Sequence, residues 1–136
     1  MSLHSVQALR AAVRAALVAD ATLTAALGGE RIYDAPPRSA ATPYVTFADA
    51  QWRDWSTFSD KGGEQMFTLD IWTDDLGLGQ ALGLADQIAK LLDTAPLALE
   101  GHRLVDLKFN ALETRRQGNG RFARASLRFR AITETL

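Results

Sequence analysis

Apolar residues recur along this chain in two rhythms, three-to-four and two, and the switches between them mark out helices and strands. Leu3, Val6, Leu9, Val13 and Leu17 fall three and four apart among alanines and arginines, which predicts a helix with one apolar stripe. Ser2 is placed to cap its start. Asp20 opens a second, short helical turn over residues 21–27, and Gly28-Gly29 supplies the backbone freedom to stop it. Arg31-Ile32-Tyr33 reads as a brief extended piece. The following Ala35-Pro36-Pro37-Arg38 lacks amide donors for a ladder and reads as a surface connector.

The period then shortens to two. Pro43-Tyr44-Val45-Thr46-Phe47 is a strand with apolar residues on both sides, so its orientation stays open. In Met66-Phe67-Thr68-Leu69-Asp70-Ile71-Trp72, the set Phe67, Leu69 and Ile71 faces a core. Between these runs lies a polar stretch, residues 48–65, that carries Trp52, Trp55 and Phe58. A hairpin reverses with two to five residues, so this excess predicts an irregular or hairpin-like arm. Thr73-Asp74-Asp75 is placed to cap a helix that runs to about Leu92, with Leu78, Leu82, Ala85, Ile88, Ala89 and Leu92 as its buried stripe. Two strands close the chain, residues 103–113 and 121–133, joined by a glycine- and asparagine-rich tip over residues 114–120. Val105, Leu107, Phe109 and Ala111 form one face of the first; Ala123, Ala125, Leu127, Phe129 and Ala131 form one face of the second. The order helix, strand, strand, helix, strand, strand predicts an α+β fold: an antiparallel sheet of about four strands with two main helices on one face.

Length and composition narrow this further. With 136 residues, 47% of them hydrophobic, the chain suits a single domain over 1–136 with a sizeable core. A net charge of −1 gives no bulk drive toward nucleic acid or anionic membrane, so protein partners are expected. The absence of cysteine excludes disulfides, thiolate nucleophiles and Cys-based zinc sites, and it suits a reducing cytoplasm. No apolar run approaches the roughly 20 residues that span a bilayer, and Arg10 and Arg14 interrupt the N-terminal segment where a signal peptide would need an apolar core. A soluble protein without a membrane partner is expected.

Candidate chemistry is sparse. His4 and His102 have no ligand-spaced neighbours and read as surface histidines. Asp74 and Asp75 are explained by capping more simply than by acid–base work. Gly77, Gly79 and Gly83 miss the dinucleotide fingerprint by one residue, and no serine sits in a nucleophile elbow. The reading is therefore no catalytic, cofactor or metal site, and not an enzyme. Two surface features remain. Arg115, Arg116 and Arg121 at the tip, with Arg124, Arg128 and Arg130 on the strand behind, are either a solvated sheet face or a surface facing DNA or an acidic partner. Trp52, Arg53, Trp55 and Phe58 either fold back on the sheet or form a protein interface, where Trp and Arg are enriched.

The order of these segments resembles the small tail-completion or tail-terminator proteins of long-tailed bacteriophages, especially the version in gene transfer agents. The residues that carry it are Leu27-Gly28-Gly29 with Arg31-Ile32-Tyr33, Pro43-Tyr44-Val45, residues 67–72, the helix over 81–92, Gly101-His102-Arg103-Leu104 and the closing strand over 121–132. The resemblance covers nearly the whole chain and rests on order and spacing, without catalytic signatures. It implies a structural subunit of a six-membered ring at the head-proximal end of a tail tube, which stops tube growth and docks the neck or head-completion protein. Partners implied are other copies of the chain, the tube protein and the neck protein, with non-specific contact to passing DNA. Assembly would take place in the cytoplasm before incorporation into the particle. The rival expectation is a small-molecule-binding or enzyme accessory domain with the aromatic arm as a lid.

Overall fold

The computed structural model describes residues 3–56, 61–74, 78–94, 96–117 and 122–136. The fold is α+β. Helices α1 (His4–Ala19) and α2 (Ala21–Leu27) precede strands β1 (Ile32–Tyr33), β2 (Tyr44–Asp54) and β3 (Gly62–Thr73). Helix α3 (Gly79–Thr94) then leads into β4 (His102–Gln117) and β5 (Phe122–Thr135). The sheet has five strands in the order β1-β2-β3-β5-β4, against the expected four. It is mixed, because Ile32 and Tyr33 pair in parallel with Val45 and Thr46 while every other junction is antiparallel.

The helices bury one side of this sheet. From α1, Leu9, Ala12, Val13 and Leu17 enter the core. Leu3 holds its N-cap position without a side-chain cap, and Ser2 lies outside the described residues. The Asp20 carboxylate accepts the Leu23 N–H at 2.9 Å, and Gly28 ends α2 in the left-handed region with φ 84°. Helix α3 begins at Gly79, too late for Asp74 to cap it; Asp75 lies outside the described residues. Its buried stripe is Ala81, Leu84, Ala85, Ile88 and Leu92, which corrects the expectation of Leu78, Leu82 and Ala89. Leu82 and Leu84 project about 200° apart around a helix, so only one can face the sheet. The arc with Ala81 and Ala85 brings the helix closer, and Leu82 is left 40% exposed.

Val45 and Phe47 of β2, Phe67, Leu69 and Ile71 of β3, and Ala125, Leu127, Phe129 and Ala131 of β5 meet the helices in one cluster. Phe67 and Phe129, directly opposed, stack with ring centroids 5.3 Å apart. The even period breaks on β4, where the register shifts between Leu104 and Asp106 and again between Phe109 and Ala111. Leu104 and Leu107 consequently pack against the core, and Val105 is 48% exposed. His102 is buried at 7% exposure, which corrects its reading as a surface residue.

The expected arm is mostly sheet. Pairing continues through Ala50↔Phe67, Trp52↔Gln65 and Asp54↔Gly63, so among the described residues of the stretch 48–65 only Trp55, Ser56 and Lys61 lie outside strands. Polar composition concealed this, because a ladder satisfies backbone amides whatever the side chains are. The far hairpin is longer for the same reason: β4 reaches Gln117, paired with Phe122, which takes residues 114–117 out of the predicted tip.

Candidate interaction surface

The side of the sheet opposite the helices has no layer over it among the described residues. Directly opposed residues share a face, so the register reads this surface row by row. Tyr44, Trp72, Arg124 and Arg115 form one row across β2, β3, β5 and β4. Tyr33 of β1 extends it, 5.9 Å from the Tyr44 ring. Tyr44 stacks on Trp72 at 6.4 Å, and the Arg124 guanidinium lies 5.5 Å from the Trp72 ring centroid. The Trp72 indole N–H donates to Thr46 Oγ1 at 3.1 Å, which fixes the ring. The Arg124 Nε is buried without a hydrogen-bond acceptor among the described residues.

The next rows alternate charge. In one, Thr46, Asp70, Ser126 and Glu113 align, and the Ser126 hydroxyl donates to the Asp70 carboxylate at 2.5 Å. Beyond the exposed Arg128, Met66 faces Arg130 and Lys108. Arg130 Nε donates to Glu64 at 2.6 Å and its guanidinium lies 5.9 Å from the Trp55 ring centroid, while Arg53 stands 3.9 Å from Glu64. Each such pair contributes at most about 1 kcal/mol at an exposed site, so the network positions side chains more than it stabilises the fold. A shallow depression of about 310 Å³ lies between Asp49, Asp70, Glu113, Arg124 and Arg128. At the hairpin end, the Ser56 hydroxyl donates to Asp54 at 2.7 Å and holds that carboxyl below its usual range.

The predicted surface residues divide between the two sides. Arg115, Arg124, Arg128 and Arg130 come together on the open face with Arg53. Arg116 does not: it opposes Ala123 and so lies on the helix side. Trp55 is 55% exposed beside Arg130, whereas Trp52 lies on the helix side against Gly63. Phe58 and Arg121 lie outside the described residues. The aromatic row of Tyr33, Tyr44 and Trp72 was missed as a unit. Its members are far apart in sequence, and the only local signal was an aromatic on the polar face at the end of β3.

A small-molecule site under a lid would need several hundred Å³ of enclosed, largely apolar space. Between α1 and the sheet, where Val6, Leu9, Phe47 and Phe67 approach, the enclosed space is ≈ 10 Å³, about one water. Among the described residues, no three His, Cys, Asp or Glu side chains converge as a metal site would require.

Comparison with known proteins places this geometry. One chain of a solved structure described as "Virion of native gene transfer agent (GTA) particle" superposes with a TM-score of 0.89 at 36% sequence identity. The match covers 98% of this chain and 99% of that one. No curated protein sequence matches. Residues 11–134 match the sequence profile of the family described as "Tail completion protein gp17". That match takes in α2, α3, strands β1 to β4, β5 but for its last residue and residues 11–19 of α1, and the chain belongs to the tail completion protein gp17 family.

Proposed function

We propose that this chain forms a ring at the head-proximal end of a phage-like tail tube, ends tube polymerisation there and joins the tail to the neck or head. The observation that carries this reading is the likeness over 98% of the chain to a subunit of a gene transfer agent virion. Its partners are other copies of the chain, six in a closed ring, the tail-tube protein and the head-completion protein of the neck. It assembles in the cytoplasm and ends in the particle. A subunit that contacts neighbours on two sides as well as a tube and a neck must expose several surfaces. A standard interface takes roughly 800 Å² from each partner, and the long β2–β3 hairpin and the uncovered sheet face supply such area.

In this reading Trp52, Arg53 and Trp55, with Phe58, contact a neighbour or the tube. Arg115, Arg124, Arg128 and Arg130 face the lumen or an acidic partner, where they meet phosphates without reading sequence. The test is tail morphology. The double substitution Trp52→Ala and Trp55→Ala is expected to leave a folded chain that no longer caps tails, giving overlong tubes and unjoined heads by electron microscopy. Tails of normal length joined to heads would refute the contact assignment. Arg115, Arg124 and Arg128 changed to Glu should lower DNA delivery from assembled particles; unchanged delivery would remove DNA from the list of partners.

A further inference from the structure

The sheet has two unfinished edges. On one side β1 pairs with β2 only at Val45 and Thr46, and no other strand covers the outer backbone of residues 47–54 among the described residues. On the other side β4, with 16 residues, has β5 on one flank and, among the described residues, no strand on the other. Exposed strand edges promote pairing with another chain, and soluble proteins ordinarily keep them short or charged. Here the β4 edge is long, and between its charged residues Arg103, Lys108 and Glu113 it exposes large apolar side chains. Val105, Phe109 and Leu112 on β4 are 48%, 48% and 46% exposed, and Phe122 near the tip is 37% exposed.

The two edges also fit each other. Phe109 points to the helix side, where its ring meets Phe129 edge-on at 5.9 Å, and register puts Leu112 on that side too, opposite Leu127. Both stay about half exposed there. At the opposite edge, again on the helix side, a groove of about 570 Å³ runs between the start of α1 and β2. Leu3, Val6, Ala50 and Trp52 line it, and the Arg10–Asp34 ion pair at 2.6 Å closes one rim. Leu3 is 63% exposed. A projecting phenylalanine on one edge and a half-apolar groove on the other thus lie on the same side of one sheet.

Strand direction permits the union. The antiparallel junctions make β2 and β5 run one way and β3 and β4 the other. A second copy set beside the first without being turned over therefore brings its β2 antiparallel to β4, the more favourable pairing. Such a contact uses a different patch on each partner and so propagates head to tail until rotation closes it.

We infer that neighbouring copies of this chain join edge to edge, β4 of one beside β2 of the next, with Phe109 of the first seated in the α1–β2 groove of the second. The inference rests on the ring reading and assigns its subunit interface. The chain has no cysteine, so introduced thiols report cleanly. Assembled particles carrying both Ala50→Cys and Leu112→Cys are treated with a short bis-maleimide and run on a denaturing gel. The expected result is a ladder with rungs above the dimer, while either cysteine alone gives no ladder. Particles that hold several copies of the chain but yield no ladder overturn the edge-to-edge contact and leave the ring standing. Particles that hold a single copy, by mass, overturn the ring and the inference together. As a second variant, Phe109→Glu should keep the wild-type circular dichroism spectrum and lower incorporation into particles at least tenfold. Incorporation at the wild-type level overturns the inference. If Phe109→Glu misfolds, Leu112→Glu takes its place with the same outcomes.

Discussion

Replacing Gly63 with Ala tests how tightly the β2–β3 hairpin is built. A Cβ added at Gly63 would lie 2.2 Å from Trp52 Nε1, 2.5 Å from Cε2 and 2.8 Å from Cζ2, all on one indole. Carbon atoms pack at about 3.5–4.0 Å, so the ring must move by more than an ångström. A Trp side chain buries about 150–250 Å² when fully enclosed, and Trp52 is half-buried, so lifting it re-exposes on the order of 100 Å², about 2.5 kcal/mol. Two effects oppose this loss. The Trp52 indole N–H is buried without an acceptor among the described residues, and reaching water would recover about 1 kcal/mol. Alanine is also better than glycine within a strand by about 0.5–1 kcal/mol. The net expectation is a destabilisation of about 0.5–1 kcal/mol, or roughly 2–5 °C in Tm for a domain of this size. The decisive assay is a double-mutant cycle with Trp52→Ala, using urea unfolding followed by far-ultraviolet circular dichroism. Without the indole, Gly63→Ala should become stabilising by about 0.5–1 kcal/mol, for a coupling near 1.5 kcal/mol. Equal effects in the two backgrounds would refute the contact.

Two further predictions concern the helix layer and the hairpin end. Leu84→Ala should cost about 2–5 kcal/mol and Leu82→Ala less than about 1 kcal/mol, because only Leu84 faces the sheet; similar losses in thermal unfolding would restore the stripe first expected from the sequence. Ser56→Ala removes the hydroxyl that donates to Asp54, so the Asp54 carboxyl should titrate higher, nearer its ordinary range. Carbon-detected NMR titration checks it, and an unmoved midpoint would point to another cause. Because that pKa is depressed in the folded chain, any stability it lends is present above the unfolded-state pKa and fades as pH falls through the folded one.

Periodicity made the layers legible, and non-local pairing hid the details. The alternation in β3 and β5 identified Phe67, Leu69, Ile71, Leu127 and Phe129 as core, and all are buried. Asp20 and Gly28 announced the limits of α2 because caps are local chemistry. Leu82 misled because a leucine-rich helix presents two plausible arcs, and only the sheet chooses between them. The polar stretch misled because hydrophobicity signals burial, whereas strand pairing depends on a partner elsewhere in the chain. Arginine alternation on β5 correctly grouped Arg124, Arg128 and Arg130, yet their aromatic and acidic company on β2, β3 and β4 belongs to the register. The separation of Trp52 from Trp55 likewise follows from the sheet, which places neighbours in sequence on opposite sides.

The ladder irregularities carry a consequence for insertions and deletions. Between Phe47 and Ala50, Leu104 and Asp106, and Phe109 and Ala111, the bulged strand spends one more residue than its partner. Removing one residue from such a step leaves every pair on either side as it is. Removing one from a regular stretch turns all later side chains to the wrong face. Length variation among relatives should therefore collect at residues 48–49, at Val105 and at Asn110, where chains one residue shorter can keep the same core and the same open face.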